Sequence, residues 1–178
     1  WYDENNFDYI KWIRNFGRLM LNNEPFSISV EQPFCTLKDS KIIVETNPLD
    51  SYFIRPRYDL KAFKSGVILR EEFSQWYENN IDIGVNPLEE CLIAIPKHIS
   101  NEWRFLVIDG AIIDSSYYRK EGKRIDIKGS PDSVIKFAKT IAMNWTHAKI
   151  CLLDICESEG QLYLFEFNCL NCSGFYAM

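Results

Sequence analysis

The stretch KICLLDICESEGQLYLFEFN, residues 149–168, decides the fold of this chain. Two mostly apolar runs flank the polar segment ESEG, which predicts two antiparallel strands joined by a tight turn. The most apolar parts of these strands nevertheless contain Asp154, Glu166 and Asn168. Because burying a carboxylate or an amide is unfavourable without a partner, these three residues are candidates for a functional site.

A three-residue turn that ends at Gly160 gives one register for this hairpin. In that register Asp154 lies opposite Leu164, and Asp154 and Glu166 are diagonal neighbours roughly 7–8 Å apart at the backbone. Asn168 lies on the same face of the sheet. Two carboxylates and an amide oxygen form the sparse oxygen set that holds Mg²⁺ when substrate phosphates and water complete its octahedron. A solvated sheet edge is the alternative interpretation.

The rest of the chain has the periodicity of a mixed, mostly antiparallel α+β fold. The Asp109-Gly110 pair predicts a hairpin turn, and Ser130 is the predicted N-cap of the last helix. The predicted helices are residues 7–21, 71–80 and the segment after Ser130, and the predicted strands are residues 41–45, 51–54, 90–96, 103–110 and 111–119.

Composition limits the possible classes of protein. At 178 residues with 47% hydrophobic residues, the chain is long enough for one domain or two small lobes. A formal net charge of -5 gives no global basic field for a nucleic-acid or membrane partner. The six cysteines lie mostly in apolar runs, which favours reduced thiols over disulfides and predicts a reducing compartment, the cytoplasm.

The segment RPRYDLKAFKSG concentrates positive charge in this acidic chain. Arg55, Arg57, Lys61 and Lys64 fall within ten residues, between apolar flanks and before a glycine. This pattern favours a lid over phosphate groups, and a solvated surface loop is the alternative. Further along, Glu102 alternates with an arginine on one strand face, which indicates either a binding site or a surface ion pair of little energetic value.

Taken together, these segments resemble the ATP-grasp superfamily, in particular a clade common in phages and bacteria that is marked by a conserved arginine and lysines. The resemblance rests on Asp154 followed by Glu166-Phe167-Asn168, on the basic segment, and on residues 91–119. It implies an ATP-grasp fold in which two α+β lobes with mainly antiparallel sheets grip a nucleotide. Residues 1–90 would contain the small lobe with its lid loop 55–66, and residues 91–178 the C-terminal lobe with the metal site. The small α/β module that usually precedes these lobes is expected to be absent from this chain.

The resemblance also implies ATP and Mg²⁺ as cofactors and assigns a role to each candidate residue. Arg55 takes a position that is usually lysine in this family, and Leu152 a position where many members have an arginine that holds the reacting carboxylate. The implied phosphate ligands are Arg55, Lys61, Lys64 and Arg104; the adenine contacts are backbone groups of Ile93, Ala94 and Ile95; the ribose ligand is Glu102; the metal ligands are Asp154, Glu166 and Asn168; and the catalytic residues are Arg104 and Arg119.

The implied activity is carboxylate activation by ATP, followed by attack of an amine or a thiol on an acyl phosphate. The carboxylate and amine substrates, whether small molecules, amino acids or peptides, are not identified by the sequence. Two alternatives stay open: a catalytically inactive nucleotide-binding module on the same fold, and a kinase whose acceptor is a hydroxyl group.

Overall fold

The computed structural model of the chain describes residues 7–24, 26, 34–58, 62–144, 148–170 and 174–178. The chain divides into two compact units. We call Glu24–Pro96 the smaller unit, and Trp1–Asn23 together with Lys97–Met178 the larger unit. These boundaries differ from the predicted division at residue 90, because the N-terminal residues group with the C-terminal part of the chain.

The elements are introduced here in chain order. Helical elements and strands alternate irregularly, as expected for an α+β fold. They are α1 (Tyr9–Phe16), β1 (Cys35–Thr36), α2 (Leu37–Thr46), β2 (Ser51–Pro56), β3 (Gly66–Leu69), α3 (Phe73–Asp82), β4 (Glu90–Ala94), β5 (Asn101–Ile108), β6 (Ala111–Lys120), β7 (Lys123–Lys128), α4 (Asp132–Asn144), β8 (Ile150–Ser158) and β9 (Gln161–Asn168), with short 3-10 turns at Gly17–Leu19 and Arg70–Glu72.

The smaller unit is built on an antiparallel sheet with strand order β1-β4-β2-β3. Its core joins this sheet to α2 and α3, with Tyr52 and Ile54 from β2 fully buried and Phe73 from α3 almost so. The rings of Tyr52 and Phe73 meet edge to face at 6.2 Å between centroids. Such aromatic contacts add to the stabilisation that apolar burial provides.

Helix α2 corrects one sequence prediction, since residues 41–45 are helical and not a strand. The β-branched run Ile42-Ile43-Val44 favoured the strand interpretation. A capping box decides otherwise: the Thr36 hydroxyl accepts from the Asp39 N–H at 3.1 Å, and the Asp39 carboxylate accepts from the Thr36 N–H at 3.4 Å. This box satisfies backbone donors that the first helical turn leaves unpaired.

The larger unit is built on an antiparallel sheet with strand order β7-β6-β5-β8-β9. Phe105, Leu153 and Phe167 are register partners across β5, β8 and β9, so they share one face of this sheet. Helix α1 covers that face, with the Trp12 and Phe16 rings 5.4 and 5.7 Å from the Phe167 ring. Residues that alternate with these three therefore project from the opposite face.

Several local predictions for the larger unit are tested by the backbone. The Asp109-Gly110 turn is confirmed, since both residues have positive φ between the paired residues Ile108 and Ala111. Helix α1 ends at Phe16, earlier than predicted, because Gly17 takes a positive φ. Strand β7 was not predicted.

The predicted N-cap of helix α4 is wrong. The Ser130 hydroxyl is buried and forms no hydrogen bond in the described part of the chain. Instead, the carbonyl of Pro131 accepts from the N–H groups of Val134 and Ile135, each at 3.0 Å. The helix begins at Asp132.

Two further findings concern the whole described chain. The five described cysteines, Cys35, Cys91, Cys151, Cys156 and Cys169, are all buried free thiols. Among the residues that the structure describes, no helix is both long and apolar enough to cross a membrane.

Candidate functional site

A row of charged residues crosses the sheet of the larger unit. Arg104 on β5, Asp154 on β8 and Glu166 on β9 are direct register partners, so their side chains project from the same face. Asn168 lies two residues after Glu166 and joins this face. Helix α1 packs on the opposite face, which leaves this one to the polar groups.

The register of the terminal hairpin differs from the predicted one. The turn has two residues, Glu159 and Gly160, both with positive φ, between the paired residues Ser158 and Gln161. A bulge then inserts Phe165, because Ile155 pairs with Leu164 whereas the preceding β8 residue pairs with Glu166. The two carboxylates are therefore directly opposite each other and not diagonal.

Hydrogen bonds tie these side chains into one buried network. The Arg104 guanidinium donates from Nε to Asp154 Oδ1 at 2.7 Å and from Nη2 to Asp154 Oδ2 at 2.6 Å. The Asn168 amide donates to Asp154 Oδ2 at 3.2 Å and to Glu166 Oε1 at 3.1 Å. The three predicted metal ligands thus converge, joined by one amide group.

Burial dominates the electrostatics of this network. Asp154 is completely buried, and this desolvation raises the pKa of its carboxyl group, while the Arg104 guanidinium opposes the shift and Glu166 adds to it. The Asp154 carboxylate in turn raises the pKa of Arg104 against the effect of desolvation, so Arg104 keeps its charge. A bidentate pair of this kind is held rigidly in both angle and distance.

The donor set fits a magnesium ion in type and charge. Asp154 and Glu166 supply hard carboxylate oxygens, and a half-turn of the Asn168 amide would present its oxygen in place of its nitrogen. One guanidinium cannot neutralise two carboxylates, so the row keeps a net negative charge that a cation would offset. No group of three or more His, Cys, Asp or Glu residues with metal-site geometry occurs in the described part of the chain.

Glu102 and Arg119 form a second buried contact next to this row. Glu102 is 3% exposed, and its Oε1 accepts from Arg119 Nη1 at 3.3 Å. Glu102 also accepts, through Oε2, from the hydroxyl of Tyr118 at 2.8 Å. The alternative of a surface ion pair between Glu102 and Arg104 is therefore wrong, because each of these residues is buried with another partner.

Sequence analysis missed two aromatic residues of this site. Tyr118 and Tyr176 stack with ring centroids 4.8 Å apart and planes 4° apart, and Arg104 lies against both rings. The backbone carbonyl of Gly174 accepts from Arg104 Nη1 at 3.0 Å. Strand alternation gave no signal for Tyr118, since a bulge displaces it, and nothing in the spacing of Tyr176 indicated its contact.

The remaining predicted site residues belong to the smaller unit. Arg55 is buried on β2, and its register partner Leu92 lies on β4. Ile93 and Ala94 are buried on the same strand, whereas Ile95 follows it and is half exposed. Lys64 is exposed, and Lys61 lies outside the described residues. The contacts of these residues with a nucleotide stay predictions.

Comparison with known proteins identifies the fold. Residues 21–178 match the model of an ATP-grasp domain, family 3 of the clade marked by a conserved arginine and lysines. No curated protein sequence matches the chain.

Solved structures of similar fold include three ligase-related proteins. The ATP-grasp ligase PsnB in complex with a minimal precursor has a TM-score of 0.59 at 12% identity, over 96% of this chain and 53% of that one. A RimK domain ATP-grasp protein from Sphaerobacter thermophilus has a TM-score of 0.62 at 10% identity, over 94% and 59%. D-alanine–D-alanine ligase from Bacillus anthracis has a TM-score of 0.57 at 13% identity, over 94% and 56%.

These structures share the fold, and the present chain spans little more than half the length of each. The sequence match, by contrast, covers most of the chain and includes the charged row and the basic segment. The predicted α+β ATP-grasp fold is thereby confirmed, and the chain belongs to the ATP-grasp domain family 3 of the arginine-and-lysine clade.

Proposed function

We propose that this protein is an ATP- and Mg²⁺-dependent ligase that joins a carboxylate to an amine or a thiol through an acyl phosphate. One observation carries the proposal: Asp154, Glu166 and Asn168 converge on one sheet face beside the buried Arg104. The membership of the chain in an ATP-grasp domain family supports the use of ATP. Structures of similar fold include complexes with Mg and ADP, which supports the choice of metal.

The charged row gives each residue a binding role. Asp154, Glu166 and Asn168 would hold the magnesium ion, which when bound offsets the negative charge of the nucleotide phosphates. Glu102 would accept from the ribose hydroxyl groups. Within the smaller unit, Arg55, Lys61 and Lys64 would contact phosphate oxygens, and the backbone of Ile93, Ala94 and Ile95 would hydrogen-bond adenine.

The first chemical step is phosphoryl transfer to the substrate carboxylate. A carboxylate oxygen attacks the γ-phosphorus, the bond from that phosphorus to the bridging oxygen breaks, and ADP leaves. Arg104 stabilises the charge that develops, since its Nη1 already donates to an oxygen, that of Gly174, at 3.0 Å. Leu152 is completely buried and cannot contact the carboxylate, so Arg104 and Arg119 take the carboxylate-binding role.

The second step forms the new bond. The amine nitrogen attacks the acyl carbon, the bond to the phosphate oxygen breaks, and inorganic phosphate leaves as the amine loses a proton. A thiol would react in the same way and give a thioester. Since the network contains no activated serine or cysteine nucleophile among the described residues, the protein contributes position and charge and no covalent intermediate of its own.

One observation favours a second candidate, a nucleotide-binding module without turnover. Both oxygens of Asp154 already accept from Arg104. If this pair does not open when nucleotide binds, Asp154 offers the metal only its remaining lone pairs, and Arg104 does not reach the phosphates.

The test is product analysis with the full-length protein. ATP, Mg²⁺ and panels of amino acids and peptides are incubated with the wild type, with Asp154→Asn and with the control Asp126→Asn, whose side chain is paired with Arg124 on β7. A ligase gives ADP, phosphate and an amide or thioester, and only Asp154→Asn abolishes them. A stable phosphoester would indicate a kinase, and nucleotide binding without turnover would indicate the inactive module.

The proposal extends to the surroundings of the protein. Its partners are ATP, a carboxylate and an amine or thiol, and the buried free thiols support a reducing compartment such as the cytoplasm. A match to a ligase solved with precursor peptide makes peptides a sensible part of the substrate panel.

A further inference from the structure

Tyr118 lies at an irregular position in strand β6. Trp103 pairs with Tyr117 and Glu102 pairs with Arg119, so Tyr118 has no register partner on β5. The pairing of β6 with β7 is also irregular between Tyr117 and Arg119. Tyr118 is therefore the inserted residue of a β-bulge, a feature that redirects a side chain from its regular alternation.

The consequence of this bulge is that two consecutive side chains reach one carboxylate. In a regular strand, neighbouring residues point to opposite faces of the sheet. Here the Tyr118 hydroxyl donates to Glu102 Oε2 at 2.8 Å, and Arg119 donates to Glu102 Oε1 at 3.3 Å. Both oxygens of this buried carboxylate are held, one by each neighbour, so its orientation is fixed before any ligand arrives.

Tyr118 also touches the charged row. Its hydroxyl oxygen lies 3.5 Å from Asp154 Oδ2. Its ring centroid lies 5.2 Å from the Arg104 guanidinium and 5.5 Å from that of Arg119, and its other contact is the stacked ring of Tyr176. With 3% of its surface exposed, this one side chain adjoins both buried carboxylates and both arginines of the site.

The hydroxyl group keeps its proton in this environment. Burial raises the pKa of Tyr118 well above its ordinary value, and the negative charges of Asp154 and Glu102 raise it further. Because the two carboxylates have no proton to offer when ionised, the hydroxyl is the donor in its bond to Glu102.

We propose that Tyr118 is a positioning residue that orients Glu102 toward the ribose hydroxyl groups of the nucleotide and fixes it relative to Asp154. This inference rests on the proposed function, in which Glu102 is the ribose ligand. It assigns a role to a residue that touches neither the phosphates nor the reacting carboxylate. The role is specific, because it predicts which chemical groups of the nucleotide the side chain affects.

The experiment compares two nucleotides on Tyr118→Phe, which keeps the ring and removes only the hydroxyl. Dissociation constants for ATP and for 2′,3′-dideoxy-ATP are measured by calorimetry with Mg²⁺ and the full chain. Tyr118→Phe should weaken ATP binding about tenfold, the scale of one hydrogen bond to a charged group. Dideoxy-ATP lacks both ribose hydroxyls, so its affinity should not change.

Tyr117→Phe is the matched control. This neighbouring residue stacks on Trp103, and its hydroxyl bonds to Asn101, away from Glu102. Its substitution should change neither dissociation constant. A second check is the double variant with Glu102→Gln, in which Tyr118→Phe should add little further loss of ATP affinity if the two residues act as a unit.

The possible outcomes are distinct. Equal weakening of both nucleotides, or no weakening of either, overturns the positioning role while nucleotide binding stands. Absence of ATP binding by the wild type overturns the proposed function, and the inference with it. If Tyr118→Phe does not fold, Tyr118→His, which shortens the side chain and withdraws the donor from Glu102, is subjected to the same comparison with the same expected and contradicting results.

Discussion

The two units of this chain place their charged groups in opposite ways. In the larger unit, Arg104 and Asp154 lie in the middle of a sheet, with side chains 6% and 0% exposed, and bind each other through two hydrogen bonds. In the smaller unit, Arg57 pairs with Glu90 at 2.6 Å, but these side chains are 21% and 49% exposed. The difference teaches that one unit has its polar chemistry fixed in the folded chain, while the other presents cations near solvent on an apolar scaffold.

Removal of one partner from each ion pair should give the largest contrast. Arg104→Met leaves a carboxylate buried without its guanidinium, which costs about 3–5 kcal/mol of unfolding free energy. Arg57→Met breaks an exposed pair and costs at most about 1 kcal/mol. Urea denaturation measures both, and similar losses for the two variants would contradict the contrast between the units.

The pH dependence of Arg104→Met sharpens the same comparison. Without Arg104, the folded-state pKa of Asp154 rises further above its unfolded value, so the folded variant binds a proton that the unfolded chain releases. The variant should therefore be destabilised less at pH 5 than at pH 8, with stability lost as pH rises toward the folded pKa. Urea midpoints of variant and wild type across this range measure the effect, and a loss that is independent of pH would exclude a buried, unpaired Asp154.

A smaller effect is expected at the start of α2, where the smaller unit depends on local hydrogen bonds. Thr36→Ala removes the capping hydroxyl and should cost about 1 kcal/mol. Thr36→Ser, which keeps the hydroxyl, is the matched control and should cost much less. Equal losses for the two variants, measured by urea denaturation, would show that the missing methyl group matters more than the cap.

The smallest effect is expected at the exposed Lys64. Lys64→Ala should weaken ATP affinity about threefold, as for a solvated charge pair, and leave AMP affinity unchanged, because AMP lacks the β- and γ-phosphates. Lys128→Ala, at the far edge of the larger sheet, is the control. Calorimetric titration with both nucleotides checks the difference, and an equal loss for ATP and AMP would contradict a contact with the terminal phosphates.

Sequence patterns predicted the larger unit better than its details. Alternation placed Asp154, Glu166 and Asn168 on one face, because a shared face depends only on the period of two along each strand. The register failed by one residue at the turn and by another at the bulge of Phe165, and neither shift is visible in an apolar pattern. The two errors happen to leave the three side chains together.

The smaller unit shows why other predictions failed. The run Ile42-Ile43-Val44 has strand propensity, yet the capping box of Thr36 and Asp39 fixes a helix, so local hydrogen bonds override propensity there. In the larger unit, strand β7 was missed because its sequence KRIDIK is mostly charged, and an outer strand needs little apolar surface. Tyr118 could not be found because a bulge is a tertiary feature of strand pairing.

The central claim is that Asp154 and Glu166 bind the magnesium ion that accompanies ATP. Its most direct test is the melting temperature of the full chain with and without saturating Mg-ATP. At 100 times the dissociation constant, the wild type should gain roughly 5–10 °C, and the double variant Asp154→Asn with Glu166→Gln should lose most of that gain while Asp126→Asn keeps it. An undiminished gain in the double variant would contradict the account, because the nucleotide's metal would then be held elsewhere.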